Sequence, residues 1–493
     1  MKGRKPIRNI PPDPPPCKGY PDDVAPVLDW SKAANPCPGW FRNAKFGIFF
    51  HWGPYCVPEY QNEWYSRTMY REDHPSHLYH VEKYGSIREF GYKNFINEFT
   101  GEKFDPDAWV GLFARAGARY FIASAEHADG FSMWDSHVNP CNSVNYGIGR
   151  DVMAELKEAA VRQNLRFGAS LHHSWNWGWF CSTDPLADVY NPENEIFYGK
   201  PVPYSASKDF PTYIMPDEDF QRNWLEKCKE VVDKFLPDIL YFDGRLYIIE
   251  EKYRLEFASY YLERAKAAGK ESLVTYKDRD WQEDAGMLDF ECRWMPDIRP
   301  EPWQLDDKSV WRTWSYVRGG QHKTSTQLIH QLADIVSKNG NFLLNVGPRK
   351  DGTFDEETTA VLYAIGDWMA VNGEAVYDTR PFQVYGEGPT RQNTDSGISL
   401  PEELLAFTPQ DVRFTQKDGV LYAIVLGWPP ERRVVLKTLR SGGILPGVPE
   451  RVTMLGKKGE LTARQTGEGL IVELPECPPC REAFTLKIEA IWE

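Results

Sequence analysis

Short apolar runs that stop abruptly at polar or aromatic residues recur along the first three quarters of the chain. They span Lys45 to Trp52, Arg119 to His127, Leu165 to His173, Asp238 to Gly244, Ser272 to Asp278, Met287 to Glu291 and Asn341 to Gly347. Between them apolar residues return at helical spacing, as in Trp109, Leu112, Phe113 and Ala116, or Phe220, Trp224, Cys228, Val231 and Phe235. Leu328, Leu332 and Ile335 predict a further helix over Thr326 to Lys338, stopped by Asn339 and Gly340. Strands that are apolar on both faces and alternate with helices belong to a parallel sheet. The expected fold is α/β, and closing the sheet into a (β/α)8-like TIM-type barrel is the economical way to bury such strands.

Near residue 385 the period changes from helical to two. Phe484, Leu486, Ile488 and Ala490 alternate with Thr485, Lys487 and Glu489, and short strands are predicted at Val420 to Trp428, Arg433 to Leu439 and Leu470 to Leu474. This predicts a C-terminal antiparallel β-sandwich. A helix from Glu356 to Val371, followed by Asn372 and Gly373, closes the barrel portion. The division expected is a Pro-rich extended N-terminal arm over 1–40, a catalytic barrel over 41–380 and the sandwich over 381–493.

Length agrees with two domains, since 493 residues exceed what one core usually organises. The net charge of -14 is spread along the chain, which disfavours nucleic acid or an anionic membrane as partner and favours a neutral ligand, although solubility alone accounts for the sign. No apolar run reaches the roughly 18 residues of a membrane span. The 18 Trp, 25 Tyr and 26 Phe supply flat faces of the kind that stack on sugar rings, besides filling the core. Nine cysteines at irregular spacing read as free thiols, with Cys477 and Cys480 in a loop rather than at a metal. The basic N-terminus lacks the apolar core of a secretory signal, so the expected compartment is the cytoplasm, or the periplasm or exterior if a leader has been removed. No metal, nucleotide or flavin motif is evident, and no cofactor is expected.

In a barrel of this kind the reactive groups stand at the C-terminal ends of the strands. Those ends carry His51, Trp52, His127, His172, His173, Asp243, Lys277 and Glu291, with Glu63 and Trp64 in the loop after the first strand. Asp243 closes the apolar stretch from Ile239 to Phe242 and precedes Gly244, which lets the chain turn away; a helix cap or turn is the other use of such a residue. Glu291 ends a later strand, where an ion pair with Arg293 or a lysine would equally occupy it. As a pair they suit glycoside hydrolysis: one ionised nucleophile and one acid of raised pKa.

Four motifs make this specific. Phe46 to Pro58 with Asn62 to Arg67, Glu126 to Ser136, Tyr241 to Gly244 and Ser337 to Gly352 resemble, in order, segments of the α-L-fucosidases of glycoside hydrolase family 29. The likeness runs from about residue 25 to the end of the chain. It implies a retaining exo-glycosidase acting on a fucosylated oligosaccharide or glycoconjugate, with Asp243 as nucleophile. His51, Glu63, Trp64 and His127 would bind the sugar hydroxyls, and Tyr241 would line the wall that receives the C5 methyl. Glu291 is the expected acid/base, with Glu301 behind it. One departure stands out: the family shows His-His-Asp-Gly-Phe on the second strand, and the second His is here Ala128. His172 and His173 on the next strand are the candidates to fill the gap. Another L-fuco-configured sugar, such as an α-L-galactoside, or a catalytically impaired binding relative are the alternatives.

Overall fold

The computed structural model describes residues 27–201, 216–277, 281–390, 406–443 and 449–490. Most of the expected N-terminal arm lies outside them. Eight parallel strands form one sheet: Phe46–Phe50 (β1), Tyr120–Glu126 (β2), Arg166–Leu171 (β3), Ile239–Phe242 (β4), Leu273–Tyr276 (β5), Met287–Leu288 (β6), Trp303–Lys308 (β7) and Gly340–Val346 (β8). Their order is β6-β5-β4-β3-β2-β1-β8-β7. Its two ends meet where Asp289 pairs with Gln304 and the Phe290 N–H donates to the Gln304 carbonyl at 2.8 Å, so the sheet closes as a barrel.

Alternation along these strands separates two cores. Phe46, Ile48, Phe50, Phe121, Leu240, Phe242 and Leu344 face the surrounding helices. Phe49, Tyr120, Ile122, Ile239, Tyr241, Leu273, Met287 and Leu343 fill the barrel itself, none more than 3% exposed. Gly47 is required by this filling, because a Cβ there would stand 2.4 Å from the Tyr120 ring. The strand that periodicity does not reveal is β7, Trp-Gln-Leu-Asp-Asp-Lys, which is polar and yet buried along its whole length.

The helices predicted from spacing are present at Pro106–Arg115, Glu218–Phe235, Ser325–Ser337 and Glu356–Asn372. Each starts at a capping side chain: Asp105, Asp217, Thr324 or Asp355. Thr324 and Gln327 form a complete capping box.

Antiparallel strands then follow: Arg380–Glu387 (β9), Val412–Lys417 (β10), Val420–Val425 (β11), Arg433–Leu436 (β12), Pro449–Met454 (β13), Ala463–Gln465 (β14), Leu470–Glu473 (β15) and Phe484–Ala490 (β16). They form a five-stranded sheet, β13-β16-β11-β10-β9, and a three-stranded sheet, β12-β15-β14. Phe414, Leu421, Leu436, Val472 and Leu486 fill the space between. This sandwich is tied to the last barrel helices: Arg413 donates to Asp334 at 2.6 Å, and the Trp368 indole donates to the Ala483 carbonyl at 2.9 Å. Among the described residues no helix is long and apolar enough to cross a membrane.

Candidate active site

Strand β4 delivers Asp243 to the rim of the barrel, and Gly244 beyond it takes φ +75°, a backbone angle that other residues rarely adopt. The neighbouring strand β5 ends one residue before Lys277, whose ammonium donates to Asp243 Oδ1 at 2.5 Å and to Glu291 Oε2 at 2.7 Å. Glu291 follows the short β6. Both bonds share one nitrogen, so those carboxylate oxygens are separated by no more than the two lengths together, about 5.2 Å. His172, just past β3, places Nδ1 3.1 Å from Asp243 Oδ2, and the Trp175 indole donates to the Asp243 carbonyl at 2.9 Å.

His172 belongs to a group of three imidazoles beside Asp243. The ring centroid of His172 lies 4.7 Å from that of His127 and 5.5 Å from that of His51, and the three offer nitrogens within 4.8 Å of one another. Such a cluster suits a row of hydroxyl groups and also has the donor set of a transition-metal site. His127 arrives there because the pairing of β2 with β3 shifts register between Ser124 and Glu126. The shift turns Glu126 outward and His127 inward. His51 Nδ1 is fixed by Asn345 Oδ1 at 2.7 Å, and the Asn345 amide in turn donates to the Trp314 carbonyl at 2.7 Å.

Glu63 joins through Trp314, whose N–H donates to Glu63 Oε2 at 2.9 Å. Trp64 packs against Trp175 and Trp179, with centroids 5.6 and 4.8 Å away. Trp64, Trp175 and Trp314 are each half-buried, and form an aromatic rim.

Not every residue expected here is brought in. His173 is turned to the outside of the barrel: it lies 2.7 Å from Glu126 Oε1 and stacks on Phe220. The expectation that it binds substrate is therefore corrected. A buried carboxylate needs partners, and Glu126 takes His173, Lys227 at 2.9 Å and Ser132 at 2.6 Å. Trp52 packs among Phe99, Phe104 and Trp109. Tyr241 is wholly buried beneath the site, its hydroxyl donating to Asp306 Oδ2 at 2.9 Å. Glu301 is exposed and precedes β7, at the end of the barrel away from these groups. Sequence reasoning gave no role to Lys277, Asn345, Trp314 or Asp306; only Lys277 carried a signal, its place at a strand end.

The two carboxyls are held in different states. Burial alone would raise Asp243, but the Lys277 ammonium and His172 override it and hold the carboxyl well below the usual range. Burial raises Glu291, opposed by Lys277 and reinforced by Asp306 and Asp243. Lys277, between three carboxyls, stays charged despite its burial. Burial keeps His51 neutral, pushed down to about 3, and His127 likewise. An acid held ionised, a second acid whose pKa is raised, and the neutral His51 and His127 beside them make an arrangement suited to acid/base chemistry.

Residues 26–374 match the family described as Alpha-L-fucosidase, and residues 406–489 match its C-terminal domain. Tissue α-L-fucosidase of Rattus norvegicus is 30% identical over 481 residues, covering 94% of this chain and 92% of its own. Plasma α-L-fucosidase of Homo sapiens is 28% identical over 475 residues, covering 92% and 90%. The structure of Thermotoga maritima α-fucosidase in complex with fucose superposes with a TM-score of 0.73 at 27% identity, over 93% of this chain and 98% of that one. The motifs, the closed barrel with its sandwich and these matches agree, and the chain belongs to the α-L-fucosidase family of glycoside hydrolases.

Proposed function

We propose that the chain releases terminal α-L-fucose with retention of configuration, through a covalent intermediate on Asp243. In this reading Asp243 attacks the anomeric carbon, and Glu291 protonates the departing oxygen and then deprotonates the incoming water. The observation that carries it is the single ammonium shared by the two carboxyls. The ceiling of about 5.2 Å between Asp243 Oδ1 and Glu291 Oε2 is compatible with the spacing of retaining enzymes, about 5–5.5 Å, and short of the roughly 6.5–9.5 Å of inverting ones.

The division of labour follows from exposure. Glu291 is 43% exposed and Asp243 23%, so the acid stands nearer the solvent into which the leaving group departs. His51, His127 and His172 are taken to bind the sugar hydroxyls, with Glu63, while Trp64, Trp175 and Trp314 cover its apolar face. The Thermotoga maritima relative has been captured with fucose and with a mechanism-based inhibitor, which supports the same substrate and a covalent step here.

Asp243→Ala is expected to lower kcat/KM on a nitrophenyl α-L-fucoside by about a thousandfold or more, roughly 4 kcal/mol of transition-state stabilisation. Azide is expected to restore part of the turnover as a glycosyl azide of inverted configuration. Near wild-type activity in Asp243→Ala would falsify the assignment.

A further inference from the structure

Beneath the catalytic pair lies a second set of acids that the mechanism above does not use. Asp306, from the polar strand β7, places Oδ2 3.6 Å from the Lys277 ammonium and accepts the Tyr241 hydroxyl at 2.9 Å on the same oxygen. It is 1% exposed. Beside it, Asp289 accepts the Gln304 amide on Oδ2 at 2.7 Å, and Gln304 accepts the Tyr120 hydroxyl at 3.0 Å. Asp289 Oδ1 and Asp306 Oδ1 are both buried, and neither finds a donor group among the described residues. Two carboxyls so placed need a proton between them.

We infer that Asp306 is a positioning residue for the hydrolysis: its carboxylate is the buried counter-charge that seats Lys277 between Asp243 and Glu291 and fixes the charge that Glu291 faces. The inference rests on the reading of Asp243 and Glu291 given above. Lys277 meets three carboxyls, two of which are engaged by the substrate during turnover. Asp306 is the third, lies out of reach of substrate, and remains to hold the ammonium while the other two react.

The proton on the acid pair belongs with Asp289. Burial and the neighbouring Asp306 push Asp289 far above the carboxylate range, with Lys277 and Gln304 opposing. The groups facing Asp306 are therefore Lys277 from β5, Tyr241 from β4, the neutral Asp289 after β6 and Tyr120 from β2. Its neighbour on the strand, Asp307, faces outward to Lys323 and Gln331, both at 2.7 Å. Glu291 faces Lys277, Asp306 and Asp243, with the thiol of Cys292 and Lys308 alongside.

Two isosteres separate the roles. Asn at position 289 offers an oxygen to Gln304 and an N–H to Asp306, as the protonated acid does, so Asp289→Asn is expected to keep kcat/KM within about twofold. Asp306→Asn keeps the size and shape of the side chain but removes its negative charge. It is expected to lower kcat about tenfold or more, with little change in KM, and to move the alkaline limb of the kcat/KM profile to lower pH, because the anion that raised Glu291 is gone.

On a Lys277→Gln background, where the ammonium that Asp306 serves is already gone, Asp306→Asn is expected to cost less than about twofold, with circular dichroism of both variants confirming that they are folded. An unmoved alkaline limb in Asp306→Asn, or an equal loss on both backgrounds, overturns the inference. Asp243→Ala, measured in the same series, keeps the two questions apart. If Asp243→Ala is inactive and the Asp306→Asn profile is unmoved, only the positioning role fails; if Asp243→Ala is active, the catalytic reading fails first.

Discussion

At the scale of single residues, one lysine decides how two acids behave. Lys277 keeps Asp243 ionised far into acid, while partial burial and the neighbouring Asp306 and Asp243 raise Glu291 above the usual glutamate range. The pH dependence follows with a definite sign. Under the proposed roles, Asp243 is expected not to limit kcat/KM on the acid side, and activity is expected to fall on the alkaline side as Glu291 loses its proton. With an activated phenyl fucoside, which needs little protonation, Glu291→Gln is expected to flatten the alkaline limb while slowing unactivated fucosides much more. A persisting alkaline limb in that variant would assign the proton to another group.

Ala128 is the other residue-scale question. It is buried at 2% exposure, and a third imidazole, that of His172, lies 4.7 Å from His127. Ala128→His is therefore expected to overpack the site at a cost of about 1–3 kcal/mol of stability without raising kcat/KM, and His172→Ala to lower kcat/KM about tenfold or more. A gain of tenfold in Ala128→His would show that the space was empty. The sequence named Asp243, Glu291 and His127 because each ends an apolar run. It left Lys277 without a role because an ammonium between two acids exists only once β4, β5 and β6 lie side by side.

At the scale of elements, the second strand shows how little backbone change redirects chemistry. A register shift of one residue sends Glu126 to the helix Glu218–Phe235 and His127 to the pocket. Alternation alone would put both Glu126 and Ser124 inside, so this was not readable from spacing. Lys227 on that helix is Glu126's ammonium partner, and Lys227→Met is expected to cost about 3–5 kcal/mol in chemical denaturation, since it strands a buried charge. The double change Glu126→Gln with Lys227→Met is expected to recover part of the loss. Equal destabilisation by single and double variants would mean that the pair contributes nothing as a pair. Strand β7 escaped the sequence for a related reason: Gln304, Asp306, Asp307 and Lys308 are buried by pairing with other polar groups, so hydropathy gives no sign of burial.

At the scale of the whole molecule, the change of period near residue 385 was legible, whereas the way sandwich and barrel hold each other was not. That contact centres on Asp334, buried on the helix Ser325–Ser337, which takes Arg413 of β10 at 2.6 Å and Lys338 at 2.8 Å. Asp334→Ala leaves two cations buried and is expected to lower stability by about 3–5 kcal/mol, with kcat at low temperature within about twofold of wild type. Thermal melts and low-temperature assays of the one variant check both halves.

The plugged barrel has a consequence for traffic. Phe49, Tyr120, Tyr241 and Leu343 fill the barrel beneath the catalytic groups, so among the described residues no passage runs through the barrel axis. A polymer is then expected not to be threaded through it, and under the proposed function only a chain terminus would reach the bottom. Under the proposed mechanism the aglycone, on the solvent side, would leave before water enters, and the free sugar would leave last by the way it came. Accumulating monosaccharide is then expected to stand in the path of the next substrate.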